Sequence, residues 1–273
     1  MFHMFELDFM VHAFLVSLIT GLLLSYLGVH VVGRGIVFVD LALGQISSLG
    51  VAFAAFIGFG LTTIPLAFTL LCAFLMSLIN IRDKRLKLEA IIGVFYAVAS
   101  AVTVMLISKT PHGDSDIQEV LFGNILAISS GQILTIAIVF AILLGLHLIF
   151  RKQFFGLTEG FQNTEPEKSG AFNIWNFLFY ISIGLSIVFA VKACGVIPVF
   201  SFLIIPSVSA IMLVKSRWGV VVIAMLISIL GSFWGLEVSY HFDFPAGSSI
   251  VAVLGLIFLL SALVGFAGKI RKK

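Results

Sequence analysis

Two kinds of polar residue stand out in this chain: carboxylates and imidazoles that can hold a divalent cation, and hydroxyls placed inside apolar segments. His112, Asp114, Asp116 and Glu119 cluster between two apolar blocks, and His241 and Asp243 lie between two others. Mixed carboxylate and imidazole groups of this kind collect divalent cations at a channel mouth, although acidic loops are also simply solvated. Asp40 and Glu89 stand near the starts of apolar blocks, where a helix dipole or a cap accounts for an acid as readily as a functional role does. His12, His30 and His147 are lone histidines in or beside apolar blocks and read as interior residues rather than ligands. Most telling is "VKACGVIPVFSFLIIPSVSA", residues 191–210. Lys192, Cys194, Gly195 and Pro198 interrupt an apolar run, and Ser201, Pro206, Ser207 and Ser209 bring hydroxyls and loosened carbonyls into the next one. Freed backbone groups at membrane depth need water or protein partners, so the stretch either lines a wet path or serves close helix packing.

Common catalytic constellations are absent. No G-x-x-x-x-G-K-[ST], H-E-x-x-H, G-x-S-x-G or partnered C-x-x-C occurs, so P-loop use of ATP and the common hydrolase and metalloprotease chemistries are excluded for this chain. Transport remains, driven by an ion gradient or by a separate ATPase. Cys72 and Cys194 fall in or at the edge of apolar blocks and read as small hydrophobes.

The elements that position these groups follow from composition. Of 273 residues, 60% are hydrophobic and 11% charged, far from the roughly 25% charged of a soluble domain. Apolar blocks recur at the length of about 20 residues that crosses a bilayer as a helix. The expected fold is therefore an all-α polytopic membrane protein, a single transmembrane domain over 1–273 that spans the lipid bilayer. Nine spans are expected, at 11–32, 36–57, 64–81, 88–108, 125–150, 174–190, 196–214, 220–236 and 248–266. Eight remain if 191–210 holds a broken or re-entrant piece. No basic, cleavable leader precedes the first span, which is expected to act as its own insertion signal.

Basic residues gather at Arg34, 82–87, Arg151 with Lys152, Lys215 with Arg217, and 269–273. With nine spans, the amino terminus outside and the carboxyl terminus inside, all five clusters fall in the cytoplasm, as the positive-inside rule requires. The net charge of +3 is small and scattered, so nucleic acid is not an expected partner. The longest polar interval, 151–173, carries Phe154, Phe155 and Phe161; it is either a solvated loop on the headgroups or a docking surface anchored by those rings. "GSFWG", 231–235, fits the small-xxx-small helix-packing pattern.

Four stretches in order carry a resemblance. "LEAIIGVFYAVASAV" (88–102), "DIQEVLFGNILAIS" (116–129), "KACGVIPVFSFLIIPSVSA" (192–210) and "SYHFDFPAGSSIV" (239–251) resemble the membrane permeases of zinc, manganese and iron uptake ABC transporters over nearly the whole chain. The resemblance implies an integral permease of a prokaryotic inner (plasma) membrane that imports a divalent metal by alternating access. It implies two permeases, identical or paralogous, paired around the path, cytoplasmic ATP-binding subunits that hydrolyse the ATP, and an extracytoplasmic metal-binding protein. The metal would be substrate, with no permanently bound cofactor and no catalytic residues in this chain.

One departure concerns the metal itself. The family places Asp and His four residues apart in the second span, where this chain has Leu41 and Gln45; Asp40 sits one position earlier, turned about 100° away. Gln45 offers a carbonyl oxygen, a harder ligand than imidazole that favours manganese over zinc. The expected metal contacts are Asp40 and Gln45. Ser47, Ser48, Lys192, Ser201 and Pro206 are expected along the path. His112, Asp114, Asp116, His241 and Asp243 are expected at the outer mouth, and Phe154, Phe155 and Phe161 against the ATPase. The competing reading is a secondary carrier driven by a proton or sodium gradient, with Asp40 and Glu89 as proton sites. A membrane-embedded enzyme is the less favoured third.

Overall fold

A computed structural model describes residues 3–79, 87–109, 123, 125–162 and 173–270, with the side chains of 160–162 and 267–270 outside the description. The described residues form ten α-helices: α1 (Asp8–Arg34), α2 (Val39–Ile57), α3 (Thr63–Leu78), α4 (Leu88–Ile107), α5 (Ser130–Ile149), α6 (Arg151–Gln162), α7 (Ile174–Cys194), α8 (Val196–Leu213), α9 (Arg217–Phe242) and α10 (Ala246–Ile270). Short 3-10 turns cover His3–Glu6 and Ile125–Ala127. No strand occurs among the described residues.

Each of the nine expected spans contains an α-helix, and among the described residues eight helices are long and apolar enough to cross a membrane. The expected alternative of eight located the shortfall at 191–210. It lies instead at α3, whose 16 residues reach about 24 Å, short of a hydrocarbon core of about 30 Å. Around 195 the chain is interrupted, as its composition suggests, but both flanking helices keep spanning length. Gly195 has φ +84°, a left-handed backbone that glycine tolerates without a Cβ penalty; it ends α7 and starts α8.

Local signals set the other boundaries. α1 opens on Asp8 and closes on Arg34, so each end carries the charge its dipole favours. α2 stops at Gly58, whose N–H donates to the Ala54 carbonyl at 2.9 Å. Ser216 caps α9 by accepting from the Gly219 N–H at 3.2 Å.

The helices sort into two compact units, each assembled from non-contiguous segments: 1–32, 122–142 and 193–273 in the first, 33–121 and 143–192 in the second. In the first unit α8, α9 and α10 pack on one another, and α1 lies against α8 and α9. Small residues set these approaches, because helices in lipid associate by close packing rather than by escaping water. A Cβ at Gly28 would collide with the Leu203 carbonyl; one at Gly231 or Gly235 would collide with Leu254 or Ile250. "GSFWG" is thus the α9–α10 contact. In the second unit α2 packs on α3 and α4, and Gly50 lies against the backbone of Pro65. α7 joins α3 through Gly184 against Ala73 and through the edge contact of Phe74 with Phe177, their ring centroids 5.9 Å apart.

Candidate functional site

The second helix carries the polar residues expected to meet the cargo. Asp40 occupies its first turn and is 3% exposed. Neither carboxylate oxygen has a hydrogen-bond partner among the described residues; the backbone amides of Asp40 and Leu41 are the polar groups beside it. The amino-terminal end of the helix dipole is the remaining compensation for a buried acid. Gln45, Ser47 and Ser48 are also buried, and Ser48 Oγ donates to the Gly44 carbonyl at 2.9 Å. Asp40 and Gln45 are five residues apart, about 140° around the helix, so they do not form a one-turn pair.

The hydroxyls of α8 are all satisfied within the chain. Ser201 donates to Ile197 at 2.9 Å and Ser209 to Ile205 at 2.8 Å. Ser207 shares its proton between the Leu203 carbonyl at 2.9 Å and the Ser25 carbonyl of α1 at 3.0 Å. Pro206 is inside this helix and buried, where its ring removes the N–H that would reach the Phe202 carbonyl. Lys192, exposed near the end of α7, donates from Nζ to Thr62 Oγ1 at 3.4 Å.

The outer-mouth residues divide. His112, Asp114 and Asp116 lie outside the described residues. His241, read from the sequence as a loop residue, belongs to the last turn of α9, and Asp243 caps that helix in a left-handed conformation with φ +54°. Ser239 Oγ donates to the Phe244 carbonyl at 2.7 Å and ties the following turn back onto the helix. Glu237, four residues before His241, falls one position beyond the eighth apolar block, which ends at 236 by composition. Its signal was legible, since Glu and His at i and i+4 share a helix face.

α6 changes the reading of the phenylalanines. Phe154 is 0% exposed and stacks on the His147 ring at 3.9 Å, with Trp175 edge-on at 6.0 Å. It therefore anchors α6 to its own chain and has no free face for a partner. Phe155 is half-buried, Phe161 has no described side chain, and the exposed side of α6 is formed by Arg151, Lys152, Gln153 and Gly156. Beside this stack, Arg34 is buried with its guanidinium 3.6 Å from the Phe179 ring centroid and Nη1 donating to Asn176 Oδ1 at 3.2 Å. From its basic cluster Arg34 was expected at a cytoplasmic surface, and charge counting has no term for such burial. The other lone histidines also have neighbours: His12 Nε2 lies 3.3 Å from Ser130 Oγ, and His30 is edge-on to Tyr26. No group of three or more metal-ligating side chains occurs among the described residues.

Residues 6–265 match the ABC 3 transport family. The chain belongs to that family. It is 31% identical over 266 residues to an uncharacterized membrane protein of the ycf23-apcF intergenic region of Cyanophora paradoxa, covering 95% of this chain and 87% of that one. It is 26% identical over 261 residues to the manganese import system permease protein ScaB of Streptococcus gordonii, covering 95% and 92%. Among solved structures, PsaBC from Streptococcus pneumoniae in complex with Fab matches with a TM-score of 0.79 at 25% identity, covering 95% of this chain and 92% of that chain. The protein is thus a multi-span membrane permease of an ABC transporter family, a class of transporters rather than enzymes.

Proposed function

We propose that this permease imports a divalent transition metal ion, manganese, iron or zinc, by alternating access across a prokaryotic inner membrane. The observation that carries the reading is the end-to-end match to a manganese import permease, together with a fold shared over nearly the full length with PsaBC. In this reading 1–273 is one permease domain with its amino terminus outside and carboxyl terminus inside. It pairs with a second copy or a paralogue, takes metal from an extracytoplasmic binding protein, and is driven by cytoplasmic ATP-binding subunits.

Asp40, Gln45, Ser47 and Ser48 of α2 line the route, as do Lys192 and Ser201 near the α7–α8 break and Pro206 within α8. The back-bonded hydroxyls leave Asp40 as the group with most to gain from a passing cation, since its buried oxygens have no donor among the described residues. The ATPase meets α6 through its exposed Arg151, Lys152 and Gln153 with Phe155, while Phe154 holds the helix in place. His112, Asp114, Asp116, His241 and Asp243 form the outer mouth, where they also meet the binding protein.

The test is uptake by vesicles that hold this chain together with a P-loop ATPase subunit that co-purifies with it. ATP-dependent accumulation of manganese, iron or zinc supports the proposal. Accumulation driven by a proton or sodium gradient in vesicles holding this chain alone overturns it in favour of a secondary carrier.

A further inference from the structure

A carboxylate and an imidazole stand one turn apart at the end of α9. Glu237 and His241 have i, i+4 spacing, which places both on one helix face. His241 Nδ1 is 3.6 Å from Glu237 Oε1. That is too long for a hydrogen bond. It is close to the separation of two ligand atoms on one tetrahedral metal, which is about 3.4 Å for metal–ligand bonds of about 2.1 Å.

Burial of the pair is unequal in a useful way. The Glu237 side chain is 14% exposed, and its Oε2 has no hydrogen-bond partner among the described residues. The His241 side chain is 55% exposed and reaches outward. A largely buried carboxylate whose Oε2 has no donor among the described residues favours an incoming cation, and the ring is accessible to deliver one. Nδ1 also lies 3.1 Å from the Glu237 carbonyl, which can only accept, so the proton of the neutral ring sits on Nδ1. A metal ion bound between Nδ1 and Oε1 needs the Nδ1 lone pair, so the Nδ1 proton leaves to water and the ring takes one up on the exposed Nε2.

We propose that Glu237 and His241 form a two-ligand capture site for a divalent transition metal at this end of α9, with water completing the shell. One imidazole nitrogen with one carboxylate oxygen suits manganese, iron, cobalt and zinc, whereas magnesium and calcium favour all-oxygen shells. Two protein ligands give a reversible hold, which suits entry rather than storage. Asp243, exposed two residues further on, adds negative charge without belonging to the pair. Placing the site on the import route rests on the function proposed above; the binding chemistry does not.

The test titrates manganese and zinc ions into the purified full-length chain carrying Asp40→Asn, so that α2 does not contribute. One ion per chain is expected to bind, at least tenfold more weakly after Glu237→Gln or His241→Asn, and without competition from magnesium. Glu237→Asp shortens the reach but keeps the charge, and is expected to fall between the parent and Glu237→Gln. Equal affinity in the parent and in both disruptive variants overturns the site, as does displacement of the ion by magnesium. If the pair binds metal as stated but ATP-driven vesicles accumulate none, the import function fails while the site stands.

Discussion

The two compact units differ in the polar groups they bury. In the unit formed by 33–121 and 143–192, Arg34, Asp40 and His147 are all less than 10% exposed. In the other unit the buried polar side chains among the described residues are hydroxyls, among them Ser25, Ser201, Ser207 and Ser209, with His30 as the one imidazole. A hydroxyl inside a helix can return its proton to the carbonyl four residues back, and at Ser201 and Ser209 local geometry alone satisfies it. A carboxylate cannot donate to that carbonyl, and the buried guanidinium and imidazole of this unit rest on tertiary neighbours. Arg34 has Phe179 and Asn176, His147 has the Phe154 ring, and among the described residues Asp40 has the amides at the amino-terminal end of its own helix beside its carboxylate.

The contrast can be broken at several points, beginning with the aromatic stack. Phe154→Ala removes a wholly buried ring and is expected to cost about 3–5 kcal/mol, read as a lower unfolding midpoint in detergent. Phe155→Ala, at a half-buried position, is expected to cost less than half of that. Equal losses would mean that the stack does not organise α6. Asp40→Asn keeps the shape and removes the charge. Metal uptake is expected to fall at least tenfold, about 1.4 kcal/mol, with the unfolding midpoint nearly unchanged, and undiminished uptake would take Asp40 off the route. Arg34→Lys keeps the charge but loses the planar face over Phe179 and the fixed donor to Asn176, for an expected loss of about 1–2 kcal/mol in thermal stability.

Hydroxyl changes in the other unit should be milder. Ser207→Ala loses a proton shared between two helices and is expected to cost about 1 kcal/mol. Within the charge-burying unit, Ser48→Ala is the matched control. Its bond stays inside α2, so a change of no more than about 0.5 kcal/mol is expected. If Ser48→Ala proved as damaging as Ser207→Ala, the distinction between local and interhelical satisfaction would fail.

Much of the fold was legible because a bilayer imposes a length on every apolar block. Nine blocks became nine helices, and the glycine at 195 marked a real break. The site was legible in part. The residue types at 40, 45, 47 and 48 were evident, but not that Ser48 is consumed by its own backbone while the Asp40 carboxylate is not. Phe154 and Phe155 look alike in sequence, yet a step of 100° around α6 makes one an internal anchor and leaves the other half-buried. Glu237 escaped notice because an acid at the edge of an apolar block reads as the boundary of the span rather than as part of it.

By itself, the amino-acid order determined that this chain enters a membrane, where its helices run, and which transporter family it joins, because hydropathy, turn residues and motif order are all read along one dimension. Only the tertiary structure decided which face of each helix turns inward, that α3 is short, that Arg34 lies against Phe179, and that Glu237 is largely buried while His241 stays exposed. The physical reason is that lipid is as apolar as the protein interior. A membrane helix carries apolar residues on both faces, and its orientation is settled by close packing and polar satisfaction between segments far apart in the chain.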